Sequence, residues 1–305
     1  MLIIFEFCAY IWYNKHMKNW LYNNVVLVTG ASSGIGKEIS KELINKYNCT
    51  VLGVARNEEK LKNFAVSLQE KSNKFEYICA DVSKEESWQK IFDFAKEKNC
   101  SILINNAGTI LPFESAEKTS IEQITRVFNT NFFSAVYAHK AFCNYFREKG
   151  GCGLINIASV SAVCSLPGAS YYSASKSALT SFSKIIASEE RKNFFVGTYL
   201  PGTTQTNLFT TKDNANPVVD EKAENMLNKI SMSAEKMAKK IVKCIAKKKK
   251  YKVLGIDAKL LKFANNLMPI KSSDLYLKIY KKTKLDCFKN VYSSSEELKQ
   301  NVKEK

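Results

Sequence analysis

Val25-Val26-Leu27-Val28-Thr29-Gly30-Ala31-Ser32-Ser33-Gly34-Ile35-Gly36 is the stretch on which the fold turns. Its first four residues are aliphatic without interruption, as in a strand covered on both faces. From Ile35 the apolar positions fall at Ile39, Leu43 and Ile44, a helical spacing with Lys and Glu on the other side, over a helix from Gly36 to Lys46. Strand, glycine turn and helix therefore follow one another directly. Glycine is needed where a backbone turns sharply, lets a pyrophosphate approach, or lets the helix pack close on the strand, and free N–H groups at a helix start attract phosphate. The chain has only twelve glycines in 305 residues, so three at set positions after the first strand make a specific signal. The spacing, G-x-x-x-G-x-G, is one residue off the G-x-G-x-x-G dinucleotide fingerprint, and the competing reading is a glycine turn with no ligand.

Working outward, the same alternation recurs. Strands are expected at Val51–Val54, Phe75–Cys79, Ser101–Ile104, Leu154–Ile157 and Phe194–Tyr199. Helices are expected over Lys60–Gln69, Trp88–Lys96, Ile121–Phe146 and Ala174–Arg191. Six β-α units at this spacing imply an α/β fold with a doubly wound parallel sheet, a Rossmann fold. Beyond Pro201 the pattern loosens into a polar loop over 203–222 and helical stretches at 233–247 and 258–283, and the residues from Ser293 are polar. The expected organisation is a catalytic domain over 17–255 with a helical, Lys-rich extension over 256–305. Residues 1–16 are apolar but too short to span a bilayer, which needs about 20 residues. They read as a short interfacial anchor or, preferably, as sequence upstream of a true start at Met17.

Composition narrows the partners. A hydrophobic content of 45% supports a full core. The net charge of +17 would ordinarily raise nucleic acid or an anionic membrane as a partner. Only four cations are arginines, however, at 56, 126, 147 and 191, whereas base-reading surfaces rely on bidentate Arg, so no nucleic acid is expected. Nine cysteines form an odd set with no C-x-x-C and read as small buried residues of a reducing, cytoplasmic chain. His16 and His139 are the only histidines, too few for a zinc site or a supported Ser-His-Asp triad.

The loop after the second strand speaks to the cofactor. An NAD site places Asp or Glu there to grip the ribose hydroxyls, and that carboxylate would repel a 2′-phosphate. Here the strand ends Val54-Ala55-Arg56-Asn57, with no acid before Glu58 and a guanidinium suited to phosphate. NADP(H) is therefore expected over NAD(H). Tyr172-Ser173-Ala174-Ser175-Lys176 sets a phenol and an amine on one helix face. The spacing alone says little, because Tyr145/Lys149 and Tyr280/Lys284 repeat it. Position singles out Tyr172, thirteen residues beyond Ser159 and on the helix after the fifth strand, where strand ends and following helices converge on the ligand crevice. A charged Lys176 about 5 Å away would favour the phenolate by about 3 kcal/mol, or roughly two pKa units, at an effective dielectric near 20.

With these motifs in order, the chain resembles the short-chain dehydrogenase/reductase family. It matches T-G-x-x-x-G-x-G at Thr29–Gly36, N-N-A-G at Asn105–Gly108, the helix asparagine at Asn131, the serine at Ser159, Y-x-x-x-K at Tyr172 and Lys176, and P-G at Pro201-Gly202 with Thr206. The resemblance implies catalytic roles for Asn131, Ser159, Tyr172 and Lys176. Ser159 would hold the substrate oxygen, and Asn131 would keep a water in a proton relay. It implies cofactor contacts at Gly30, Ser32, Ser33, Gly34, Ile35, Gly36, Arg56, Asp81, Val82, Asn106, Ala107, Gly108, Tyr172, Lys176, Pro201, Gly202 and Thr206. Of these, Asp81 would meet the adenine and Thr206 the carboxamide. Lys176 would also bind the ribose hydroxyls.

The implied activity is hydride transfer between NADP(H) and a carbonyl or secondary alcohol, on a small and apolar, lipid-like or acyl substrate. A homo-oligomer is expected, as family members commonly pair through the long helices after the fourth and fifth strands. The extension carries an apolar stripe at Leu260, Leu261, Phe263, Ala264, Leu267 and Met268. It reads as a cover for the core or a partner subunit, as a lid over the substrate, or as a basic amphipathic surface in peripheral contact with a membrane. The rival readings of the whole chain are a non-catalytic NADP(H) sensor and a membrane-surface interaction protein.

Overall fold

Val26 and Val28 are fully buried on one side of the first strand and Leu27 on the other, as a two-sided apolar run requires. The computed structural model describes residues 19–164, 166–206, 208, 225, 231–283 and 285–291. The apolar segment over 1–16, most of the 203–230 loop and the tail from Ser293 lie outside the described residues.

The strands β1 (Val25–Thr29), β2 (Thr50–Ala55), β3 (Phe75–Cys79), β4 (Ile102–Asn105), β5 (Gly153–Ile157) and β6 (Phe195–Pro201) form one parallel sheet. Short strands β7 (Thr204–Gln205) and β8 (Met232–Ser233) pair separately, and β9 (Tyr251–Leu254) completes the large sheet in the order β3-β2-β1-β4-β5-β6-β9. The winding direction reverses between β1 and β4, so the carboxyl ends of those strands open a crevice.

The helices are α1 (Gly34–Tyr47), α2 (Glu58–Ser67), α3 (Ser87–Glu97), α4 (Ile121–Phe128), α5 (Ser134–Lys149), α6 (Ser170–Glu189), α7 (Ala234–Ala246), α8 (Ile256–Leu267) and α9 (Lys271–Thr283). On one face of the sheet, Ile39 and Leu43 of α1 pack with Met237, Ile241 and Ile245 of α7 over Val26, Val51 and Ile104. On the other, Trp88 and Ile91 of α3, Phe142 and Phe146 of α5 and Ile186 of α6 cover Leu27, Leu103 and Leu154. Each buried aliphatic or Phe side chain is worth about 1.5–3 kcal/mol. Both faces are thus closed, and the carboxyl edge is left for a ligand.

Several expectations are revised. The sheet has a seventh strand, β9, which the sequence reading lacked. Tyr251-Lys252-Val253-Leu254 is short, follows a lysine run and exposes Lys252, so its apolar signal is weak at the sheet edge. The helical stretch over 258–283 is two helices that break around Pro269, whose missing N–H cannot continue a helix. The long region from Ile121 holds a π-helical turn, Asn129–Phe133, between α4 and α5. Of the eight described cysteines, all free thiols, only Cys49, Cys100, Cys152 and Cys164 are buried, which corrects the expectation that the set as a whole is buried.

The C-terminal extension returns to the sheet. Ala258 and Leu261 of α8 pack on Val160, Cys164 and Leu166. A final 3-10 turn, Asp286–Val291, follows α9, and the Ser115 N–H donates to the Asn290 carbonyl at 2.7 Å.

Candidate active site

The glycine turn is built around Thr29. Its Oγ1 accepts the N–H groups of Asn106 and Ala107, each at 3.0 Å, and Asn106 Nδ2 donates to the Thr29 carbonyl at 3.0 Å. These bonds pin the end of β1 to the end of β4 at the switch point. Gly30 sits at φ +68, a left-handed conformation. A Cβ on Gly36 would run into the Gly30 carbonyl and Asn106 Nδ2, so this glycine lets the helix lie against the turn. At the start of α1 the Ser33 side chain makes no cap bond and the first turn holds no acid, so the helix presents its N–H groups and positive end to the crevice.

The crevice measures about 610 Å³, within the usual range for small-molecule sites. It is lined by Gly30, Ser32, Ser33, Gly34, Ile35, Arg56, Asp81, Val82, Asn106, Ala107, Gly108, Ser159, Tyr172, Lys176, Pro201, Gly202 and Thr206. Every expected cofactor contact except Gly36 thus meets in one place, and Gly36 lies just behind the wall. Arg56 is exposed at the lip and makes no ion pair among the described residues. The Asp81 carboxylate accepts the Ser83 N–H at 3.0 Å and the Ser83 hydroxyl at 2.8 Å, which fixes its direction.

Three polar side chains, Ser159, Tyr172 and Lys176, line the inner end. Helix α6 begins at Ser170, four residues before its expected start, and this puts Tyr172 in its first turn with Lys176 one turn on. Asn156 of β5 donates to Ser183 of α6 at 2.8 Å and accepts from Asn105 of β4 at 2.8 Å, a buried ladder that fixes the helix against the sheet. Ser159 follows β5 in extended backbone, and its hydroxyl accepts the Ser161 N–H at 3.2 Å.

Lys176 is buried and donates to the Ile157 carbonyl at 3.1 Å. Asn131, in the π turn, is buried and makes three side-chain hydrogen bonds. Its Oδ1 accepts the Thr109 N–H at 2.8 Å, and Nδ2 donates to the Thr109 carbonyl at 2.9 Å and to Ser175 Oγ at 3.0 Å. Asn131 does not line the crevice; it clasps the segment after Gly108 to α6.

The electrostatics differ from the sequence expectation. Burial pushes the Tyr172 hydroxyl up from its ordinary pKa, partly offset by hydrogen bonding with Ser159 and then Ser161. Lys176 is itself pushed down to about 8 by burial. At pH 7 roughly nine in ten Lys176 side chains still carry charge. The expectation treated Lys176 as a point charge in a medium of effective dielectric near 20; in the folded chain both groups lose water together, and desolvation is the larger effect.

Several residues of the site carry no motif. Phe113, Tyr172, Leu208, Leu285 and Cys287 pack against Ile110 in an apolar cluster, two of whose members come from the C-terminal extension. Phe288 stacks on Tyr280 at 3.9 Å and meets Phe113 edge-on at 5.2 Å. Asp257 of α8 accepts the Thr203 N–H at 2.7 Å and so holds the loop after Pro201-Gly202. The aromatic content of the extension was the available signal, but nothing in its spacing tells which rings turn inward.

Comparison with known proteins agrees with this geometry. A family model described as short chain dehydrogenase matches residues 24–217. The chain is similar to 11-beta-hydroxysteroid dehydrogenase 1A of Arabidopsis thaliana, with 35% identity over 196 residues, 62% of this chain and 54% of the relative. It therefore spans about half the length of that relative. Acetoacetyl-CoA reductase of Acinetobacter sp. (strain RA3849) is 31% identical over 190 residues, 61% of this chain and 76% of that one. Among solved structures, a short-chain dehydrogenase from Streptomyces avermitilis superposes with a TM-score of 0.69 and 26% identity over 85% of this chain and 99% of its own. The matched residues run from the start of β1 through the glycine turn, the Ser159-Tyr172-Lys176 cluster and the loop after β6, and the chain belongs to the short-chain dehydrogenase family.

Proposed function

We propose that the chain is an NADP(H)-dependent oxidoreductase that interconverts a carbonyl group and a secondary alcohol on a small apolar molecule, a lipid-like or acyl carbonyl. The observation that carries this reading is the meeting of Ser159, Tyr172 and Lys176 at the inner end of the crevice, with Asn131 bracing α6 behind them.

The crevice fits a dinucleotide phosphate on its own chemistry. The uncapped, acid-free start of α1 suits a pyrophosphate, and Gly36 keeps the turn clear of a side chain that would block it. Arg56 supports a 2′-phosphate, since no carboxylate stands where NAD enzymes place one. Thr206, which lines the crevice against Gly34, would take the carboxamide end. Lys176 would hold ribose hydroxyls through its ammonium group. When bound, the nicotinamide supplies or accepts the hydride.

The chain's own residues then handle the proton. Burial keeps the Tyr172 hydroxyl protonated at neutral pH, so in the direction of reduction it donates its proton to the substrate oxygen. The Ser159 hydroxyl donates a hydrogen bond to the same oxygen as negative charge develops there. The adjacent Lys176 charge steadies the phenolate that Tyr172 becomes, until a proton from solvent restores it.

Ile110, Phe113 and Leu208 line the crevice with Tyr172 and present carbon rather than charge, which supports an apolar substrate. A panel of ketones, including long-chain 3-keto and steroid compounds, assayed with NADPH against NADH, tests the reading. Turnover with NADPH on an apolar ketone is expected, and turnover confined to NADH or to charged substrates would overturn it.

A further inference from the structure

Eight of the twelve exposed large hydrophobic side chains among the described residues fall in one short span, between Ile256 and Ile279. On α8 they are Ile256, Leu260, Phe263 and Leu267, successive steps of three or four along a single stripe, each more than 60% exposed. Ala258 and Leu261, on the opposite side of the same helix, are the residues that pack on Val160 and Cys164. The helix is thus doubly apolar, with one face spent on the fold and the other turned outward. Met268 and Ile270 continue the outward stripe through the break, and Leu275 and Ile279 carry it along α9. Monomeric proteins rarely expose a contiguous apolar surface of this kind without a partner for it.

The charge around the stripe selects the partner. Residues 256–283 hold six lysines against two aspartates. One aspartate, Asp257, is turned inward to the Thr203 N–H. Lys259 lies one helical turn from both Ile256 and Phe263, and Lys271, Lys278 and Lys282 each lie one turn from Leu275 or Ile279. An apolar stripe edged by lysine matches the boundary of an anionic bilayer, where carbon enters the acyl region and ammonium groups meet lipid phosphate. A second copy of the chain would instead bring the same lysine rim against itself, in a molecule already carrying +17. No helix among the described residues is long and apolar enough to cross a membrane, so the contact is at the surface.

We infer that the outward face of α8 and α9 docks the protein on anionic membrane surface. Docking through this face places α8 between the bilayer and the segment after Ser159, against which its inner face packs. The inference stands apart from the proposed reaction, because binding to lipid needs neither cofactor nor turnover.

The test is flotation of the full chain with vesicles of phosphatidylcholine containing 30% phosphatidylserine, against pure phosphatidylcholine, at about 0.1 M and 0.5 M salt. Binding to the anionic vesicles, weakened by salt, is expected. In the paired variant Leu260→Glu/Phe263→Glu the bound fraction should fall at least tenfold. In Lys271→Gln/Lys278→Gln it should fall by about fivefold per lysine. All four positions are exposed, and unchanged circular dichroism and thermal unfolding would establish that the fold is intact. Sedimentation without lipid completes the test. Equal binding by the variants, or no binding by the unmodified chain, would overturn the inference. So would a lipid-free dimer that Leu260→Glu/Phe263→Glu dissociates, since the stripe would then be an interface between copies.

Discussion

Replacing Asn131 by Ala should cost about 2–3 kcal/mol of stability although Asn131 does not line the crevice, and the size follows from its bonds. The amide makes three hydrogen bonds, two to the Thr109 backbone and one to Ser175, a residue with no exposed surface. Each such bond contributes roughly 1 kcal/mol net, and a buried group left without its partner costs about 1–3 kcal/mol. Thr109 is only partly buried, so water can repair its two lost bonds in part, whereas Ser175 loses a donor that water cannot replace. Asn131→Asp is the sharper variant. It keeps the acceptor for the Thr109 N–H but sets a carboxylate oxygen against the Thr109 carbonyl and offers Ser175 no N–H, so it should be at least as damaging as Ala. Urea unfolding followed by circular dichroism reads the effect as a lower midpoint at constant slope. A loss below about 1 kcal/mol for Asn131→Ala, or an Asp variant as stable as the native chain, would refute the clasp.

Arg56→Asp should weaken NADPH by about tenfold to a hundredfold, the loss of one charge-assisted hydrogen bond, and should improve NADH; KM values for the two cofactors check it. Lys176 gives a pH signature. Its folded pKa of about 8 lies below the ordinary 10.5, so the unfolded chain binds more protons between those values and stability rises with pH across that window. Relative to Lys176→Met, the native chain should gain about 2.5 kcal/mol between pH 7 and pH 10 in urea unfolding, and a flat difference would contradict the buried ammonium. Phe288→Ala removes the stack on Tyr280 and the edge contact with Phe113, and should raise KM for apolar ketones severalfold with NADPH affinity unchanged.

The parts of this molecule that could be read from the chain are those set by backbone necessity. Uninterrupted aliphatic runs such as Val25–Val28 have no stable place except a two-sided sheet, and Gly36 can be nothing else where a Cβ would strike Gly30 and Asn106. The proposed catalytic residues Ser159 and Tyr172 were legible because they sit at a strand end and a helix start, whose order the alternation gives. What was not legible depends on packing between distant segments. That β9 would join the sheet edge needed the position of β6, and that Leu285 and Cys287 would pack against Ile110 needed the path of α9. The electrostatic error had the same origin. The four-residue spacing told that Tyr172 and Lys176 are neighbours, but their burial depends on the cover that other segments provide. Asn131 was found by position, but its bonds to Thr109 and Ser175 could be seen only in the fold.

The most direct test of the central claim is the pair Tyr172→Phe and native chain, compared for NADPH binding by fluorescence and for turnover of an apolar ketone. The account predicts that the variant binds NADPH as tightly as the native chain, since only one hydroxyl is lost from a crevice with many contacts. It also predicts turnover reduced by at least about a hundredfold, the low end for a positioned general acid. Turnover within threefold of the native rate would contradict the assignment of Tyr172 as the proton donor.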